Sequence, residues 1–278
     1  MLTPDITKNE TIIVTGCSYT TQPYNTIQSY EHEEVTINNT WSTYIQCKKM
    51  INTAGCGKGN YEMIKHALAY IYANPNEKID RVIVALSGWQ RFYTPQMKFT
   101  GYGGFWDDRE TVKKHLDAEN FTPAGPKNFR GLRHELVWQY EFGPPNKDDI
   151  VKMIKDTFIS LNNLYHVCIA KSIKLHVFQM LNPWPFPEKG TDEHHMLLTT
   201  SYEEIMELST LYDIFREKKV DIYGFPFITE LGGEWVWHDF YRRNRRHRYT
   251  IPGDGHPNEI GHKRLSEKIL KNLNDFKL

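Results

Sequence analysis

Cysteine is scarce in this chain: four residues among 278, at Cys17, Cys47, Cys56 and Cys168. Their irregular spacing and the lack of any CxxC pair argue against a zinc ribbon and a dense disulfide scaffold. Long apolar runs are missing too. None approaches 18 residues, which rules out a membrane-spanning helix. Net charge is lacking: Lys+Arg and Asp+Glu are both 34, for a formal +0. Whole-chain attraction to nucleic acid or an anionic membrane is therefore not implied, although a local patch could serve either. The start, Met1-Leu2-Thr3-Pro4-Asp5, carries no basic region followed by an apolar one. No signal peptide is readable, and the expected location is cytoplasmic. Gly55-Cys56-Gly57-Lys58-Gly59-Asn60 has neither the Walker pattern nor GxGxxG, so it is not read as a nucleotide-binding loop.

What is present suffices for a sizeable core. Apolar types make up 40% and charged types 24%, and the length allows one to two domains of roughly 150 residues. Thr11 to Thr15 reads as a buried strand stopping at Gly16. Residues 21 to 38 are polar and aperiodic and read as a loop. Asn39-Thr40 can cap a helix from Trp41 to about Met50. A short second strand is expected over Ile51 to Ala54. After three glycines, a helix is expected from Asn60 to about Ala73, where Asn74-Pro75 stops it. Arg81 to Leu86 is almost continuously apolar, as in a strand covered on both faces. A helical stripe follows through Ile150, Ile154, Phe158, Leu161 and Tyr165. Leu175 to Leu181 is the next strand, Ser201 with Glu204 forms a capping box, and Val220 to Tyr223 is the last strand. The final helix starts near Pro257 or Asn258 and shows Leu265, Ile269 and Leu273 on one face.

Strands alternating with helices indicate one doubly wound α/β domain over residues 1–278: a three-layer α/β/α sandwich on a mostly parallel sheet. Residues 92–147 carry scattered glycines, prolines and aromatics without a lasting period. An excursion of that length is expected to cover the carboxyl edge of the sheet and restrict entry, with Trp106 and Trp138 as its aromatic markers.

In such sheets the ligand site lies beyond the carboxyl ends of the strands. Ser18 falls there. It reads either as a nucleophile on a turn that Gly16 makes tight, or as a helix cap or turn residue. An unassisted hydroxyl is a poor nucleophile at neutral pH, so a base is needed. Asp254-Gly255-His256-Pro257-Asn258 offers one: imidazole is suited to accept a hydroxyl proton, and a nearby carboxylate can fix its tautomer. The plain alternative is a polar helix entry capped by Asn258. At Gly57 a bare backbone N–H can point at a developing oxyanion, unless the three glycines merely form a flexible turn.

These residues resemble a known family. Val14-Thr15-Gly16-Cys17-Ser18-Tyr19-Thr20 resembles the first block of the SGNH/GDSL hydrolases. Asn52-Thr53-Ala54-Gly55-Cys56-Gly57 resembles their glycine block, and Asp254-Gly255-His256-Pro257-Asn258 with Gly261 resembles their terminal Asp-His block. The resemblance implies a flavodoxin-like fold and hydrolysis of an ester or thioester through an acyl-serine. By position Ser18 resembles the nucleophile, His256 the base, Asp254 its orienting partner and Gly57 the oxyanion glycine. Two departures stand out. Asp254 precedes His256 by two residues where the family usually has three. The family's Gly-x-Asn-Asp block is here Ser87-Gly88-Trp89-Gln90-Arg91, with Trp89 in the asparagine position. Gln90, Arg91 or the Ser87 hydroxyl would then have to supply the donor.

Trp89 and Trp184 fall at strand ends, where aromatic walls can line a pocket, and Arg91 is expected to grip an anionic substrate group. Asn60 joins them in the expected substrate site. Arg242, Arg243, Arg245, Arg246 and Arg248 form either a solvated loop or an anion patch, flanked by Tyr241 and Tyr249. His194-His195 and His238-Asp239 show no metal spacing, so no metal and no cofactor is expected. The expected partner is a small-molecule or carbohydrate ester, with no nucleic acid. The leading expectation is a serine hydrolase cleaving a carboxylic ester, with an acyl or acetyl ester on a carbohydrate as one substrate class. Its rivals are a non-catalytic carbohydrate-binding or structural module that keeps the fold, and an O-acyltransferase using the same serine.

Overall fold

A computed structural model describes residues 7–22, 24–28, 33–56, 58–87, 147–180, 222–223, 249–251 and 256–275. Its strands are β1 (Thr11–Thr15), β2 (Tyr24–Gln28), β3 (Glu33–Ile37), β4 (Lys49–Asn52), β5 (Arg81–Leu86), β6 (Lys174–Gln179) and β7 (Ile222–Tyr223). Its helices are α1 (Asn60–Ala73), α2 (Lys147–Ala170) and α3 (Glu259–Asp275), with one turn of 3-10 helix at Trp41–Tyr44.

Five strands form one sheet in the order β4-β1-β5-β6-β7, each neighbouring pair parallel. Numbered among themselves in chain order, they run 2-1-3-4-5, the doubly wound flavodoxin-like order. The order reverses between β1 and β5, which puts the topological switch point at their carboxyl ends.

Alternation along the strands divides the core into two layers. Ile13, Val82, Val84, Leu86 and Val177 face α1 and α2, meeting Ile64, Ala67, Ile71, Phe158, Leu161 and Leu164. Ile12, Val14, Ile83, Ala85 and Phe178 face the other way, toward Trp41 and Ile45 and toward Leu265, Ile269 and Leu273 of α3. β1 and β5 are therefore buried at every residue, which is why they read as continuous apolar runs. The α/β fold on a mostly parallel sheet expected from the sequence is the observed arrangement, with helices packed against both faces of the sheet.

Local differences are instructive. The stretch 21–38 holds a hairpin, with Tyr24 opposite Ile37 and Gln28 opposite Glu33. It pairs apart from the main sheet, and its polar sequence lacks the apolar run of a strand covered on both faces. The helix expected from Trp41 to Met50 is one turn only, because Lys49–Asn52 is taken up as β4 against β1. As an edge strand with Lys49 and Asn52 exposed, β4 shows little apolar signal. α2 ends at Ala170, where Ile173 N–H returns to the Cys168 carbonyl at 2.8 Å and Ser172 takes φ of 56°. All four cysteines are free thiols. Among the described residues no helix is long and apolar enough to cross a membrane. The expected cover at 92–147 lies outside the described residues, apart from Lys147 at the start of α2.

Candidate active site

The turn that bears Ser18 is made by β1 running out at Gly16. A Cβ on Gly16 would lie 2.3 Å from Thr20 Oγ1 and 3.2 Å from the Ala85 Cβ, so the turn can fold back this closely only over glycine. Thr20 and Thr21 N–H both donate to the Cys17 carbonyl, at 2.9 and 3.0 Å. The Thr20 carbonyl accepts Asn52 Nδ2 at 2.8 Å. The tight turn 17–21 thus sits at the switch point with Ser18 on it.

His256 is brought to the same place from the far end of the chain. Thr250 bridges Pro257, Ile251 N–H donates to the His256 carbonyl at 2.7 Å, and Asn258 N–H donates to the Tyr249 carbonyl at 3.0 Å. Asn258 Oδ1 caps α3 by accepting Gly261 N–H at 2.9 Å. Gly261 is obligatory, since a Cβ there would lie 2.1 Å from the Tyr249 carbonyl oxygen. These bonds tie the entry to α3 on both sides of His256.

Ser18 Oγ and His256 Nε2 lie 2.7 Å apart. Both residues are only 8% exposed. The Tyr19 ring stacks on the imidazole with centroids 4.1 Å apart and 22° between planes, which fixes the ring plane. Behind it, His262 of α3 is buried, and burial followed by the neighbouring His256 pushes its ring down to about 3.

The glycine loop is anchored from below. Gly55 N–H donates to the Gly16 carbonyl at 3.1 Å. The Lys58 side chain crosses over Gly55, and its Nζ reaches the Thr53 carbonyl at 3.4 Å and His66 Nδ1 at 2.7 Å. Burial, then the charges of Lys58 and Lys65, lower the His66 ring.

At the end of β5, Asn60 bonds the backbone of Ser87. Its Oδ1 accepts Ser87 N–H at 2.8 Å and its Nδ2 donates to the Ser87 carbonyl at 3.4 Å, where Gln179 Nε2 also donates at 2.9 Å. Asn60, expected to meet substrate, therefore has its amide engaged in tying α1 to β5. The Ser87 hydroxyl is fully buried and has no hydrogen-bond partner among the described residues.

The structure thus brings Ser18 and His256 together. Gly57, Trp89, Gln90, Arg91, Trp184 and Asp254 lie outside the described residues, as do the arginine cluster at 242–248 and the histidines at 194, 195 and 238. Sequence reasoning passed over Tyr19, Thr20 and His262. The spacing from His256 to His262, one and a half helical turns through a cap, was the available signal.

The fold and site define a doubly wound α/β protein with a buried serine–histidine pair at its switch point. No protein-family model matches the chain, and no curated protein matches it in sequence. Among solved structures, the psychrotrophic esterase EstA from Pseudoalteromonas sp., inhibited by monoethylphosphonate, is similar with a TM-score of 0.42 at 11% identity, over 96% of this chain and 98% of that one. A candidate acylhydrolase from Bacteroides fragilis NCTC 9343 has a TM-score of 0.42 at 11% identity, over 96% of this chain and 87% of that one. Likeness this slight carries no chemistry from one chain to another.

Proposed function

We propose that the protein is a serine hydrolase of the SGNH/GDSL type that cleaves a carboxylic ester through an acyl-serine. The supporting observation is the 2.7 Å contact between Ser18 Oγ and His256 Nε2, two buried groups 238 residues apart in sequence. In this reading His256 Nε2 accepts the Ser18 proton as Oγ attacks the ester carbon. Asp254 orients the imidazole through Nδ1. Backbone N–H groups of Ser18 and Gly57, with Gln90, stabilise the tetrahedral oxyanion. His256 then protonates the leaving alcohol. Water, deprotonated by the same ring, attacks the acyl-enzyme and frees the acid. No cofactor enters these steps. Trp89, Trp184 and Arg91 would shape a site for an acyl or acetyl ester on a carbohydrate.

A fluorophosphonate probe tests the reading, with intact mass measured for the wild type and Ser18→Ala. Attack by Oγ forms a P–O bond and expels fluoride, so the wild type gains one phosphonyl group and Ser18→Ala gains none. Ser18→Ala also lowers kcat on any ester turned over by at least about 10³-fold. A folded wild type that takes no label overturns the proposal and favours a non-catalytic module.

A further inference from the structure

The nucleophile and its base come from opposite ends of the chain, and their contact is one hydrogen bond. Such a pair stays aligned only if the two backbone segments are held together by something else. The segments involved are the turn 17–21 and the entry to α3. Between them stands Trp41, fully buried, at the first position of the 3-10 turn.

Trp41 bonds both segments. Its indole Nε1–H donates to Thr20 Oγ1 at 3.2 Å, two residues beyond the nucleophile. Its backbone N–H donates to His262 Nδ1 at 3.3 Å, six residues beyond the base. Thr40 adds a parallel link, its Oγ1 donating to the Thr20 carbonyl at 3.3 Å. On the other side, His262 N–H donates to the Asn258 carbonyl at 2.9 Å, which ties the ring's own backbone to the cap that positions His256. The path Ser18–Thr20–Trp41–His262–His256 therefore closes on itself through the Ser18–His256 bond.

The residue types suit the task. The first N–H of a helix has no partner within the helix, and the Thr40 side chain does not cap this one. His262 supplies the acceptor from another element. A donor at Nδ1 means that this nitrogen carries a lone pair and the proton sits on Nε2. Burial keeps the ring neutral well below ordinary working pH, so the acceptor is not lost to protonation. Thr20 is buried completely, and its hydroxyl lies where a Cβ on Gly16 would intrude. A shift of Thr20 is thus a shift of the turn that bears Ser18.

We infer that Thr20, Trp41 and His262 form a clamp of positioning residues that sets the distance between Ser18 and His256. The inference rests on the hydrolase reading for its kinetic consequence, but the clamp itself is a structural claim. Misplacing reacting groups by about 1 Å can lower a rate by about 100-fold. The clamp is therefore expected to act on turnover far more than on substrate affinity.

The variants are His262→Leu, which removes the acceptor, His262→Asn, whose Oδ1 stands where Nδ1 does and can accept the same N–H, and Thr20→Val, which removes the hydroxyl. Each is measured for its rate of fluorophosphonate labelling at Ser18, its melting temperature, and its Ser18–His256 distance by crystallography. His262→Leu and Thr20→Val are each expected to slow labelling by about 10-fold or more while still folded. His262→Asn is expected to recover most of the rate. The double variant Thr20→Val/His262→Leu is expected to be little slower than the worse single variant, because one broken link already opens the clamp. If His262→Leu does not fold, Thr20→Val carries the same test. A folded His262→Leu or Thr20→Val that labels at the wild-type rate, or penalties that multiply independently, overturn the clamp. A wild type that takes no label overturns the hydrolase reading instead; the Ser18–His256 distance in the variants then decides the clamp alone, an unchanged 2.7 Å sinking it.

Discussion

The two edges of the parallel sheet both bury polar groups and use them in opposite ways. At the amino edge, Arg81 is 2% exposed and its Nε and Nη2 donate to the Glu10 carboxylate at 2.6 and 2.9 Å. Lys174 Nζ adds a third bond to Glu10 at 3.1 Å, and Arg81 Nη1 donates to His176 Nε2. Burial works to raise the Glu10 carboxyl, but Arg81 and Lys174 outweigh it and hold it below the usual range. At the carboxyl edge, by contrast, a serine and a histidine pair with each other, and the Ser87 hydroxyl is buried with nothing to bond among the described residues. Buried ions must be paired or the fold suffers. A buried hydroxyl without a partner is tolerated only at a lower penalty. The first edge is arranged for stability, the second keeps donors and acceptors in reserve.

Acid offers the broadest way to probe both edges, since each has a buried neutral histidine. Burial, then Arg81 and Lys174, pushes His176 down to about 3, and His262 lies at about 3 as well. An unfolded histidine titrates near 6.5, so between 6.5 and about 3 the unfolded chain binds protons that the folded chain refuses. Stability is therefore expected to fall as pH drops below 6.5, by about 1.4 kcal/mol per pH unit for each ring. Glu10 adds to the loss further down: its lowered carboxyl stabilises above the unfolded value and gives this up as pH falls through the folded one. Urea unfolding at intervals from pH 7 to 5 measures the slope. His176→Gln and His262→Gln should each flatten it, and a level stability over that range would count against both buried rings.

Next in size is Glu10→Gln. It leaves the Arg81 guanidinium buried without its carboxylate, and a loss of about 3 kcal/mol is expected. Because the change lies at the far edge, kcat per folded molecule should stay at the wild-type level. A fall in kcat with unchanged stability would erase the distinction between the edges.

How much of this was legible in the sequence depended on whether a signal was local. β5 and α1 could be placed because Arg81–Leu86 is apolar throughout and Asn60–Ala73 repeats at helical spacing between glycines and Asn74-Pro75. The hairpin at Tyr24–Gln28 and Glu33–Ile37 could not, since its polar sequence has no sustained apolar period to display. The strand Lys49–Asn52 was obscured by tertiary pairing that overrides the helix pattern beginning at Trp41. Ser18 and His256 were visible because each lies in a short motif at a strand end or helix entry. The link from Trp41 to His262 joins residues 221 apart with no motif between them, and only packing reveals it.

The smallest expected effect is at Ser87, where the contrast between the edges is sharpest. Asn60 and Gln179 hold its backbone, and its side chain is fully buried just beyond the end of β5. Removing a buried donor that has no partner relieves desolvation instead of breaking a bond. Ser87→Ala is therefore expected to raise stability by about 1 kcal/mol, the opposite sign from Glu10→Gln, with urea unfolding as the measure. Ser87→Val is the companion variant: it puts one methyl in place of the hydroxyl and adds a second to a closed space, so it should be less stable than Ser87→Ala. Turnover decides what the hydroxyl is reserved for. If kcat falls with KM unchanged while stability rises, the hydroxyl acts on the transition state and supplies the donor that Trp89 does not. If kcat holds, that role passes to Gln90. A loss of stability in Ser87→Ala would show that the hydroxyl is bonded in solution, and the carboxyl edge would then be as fully committed as the amino edge.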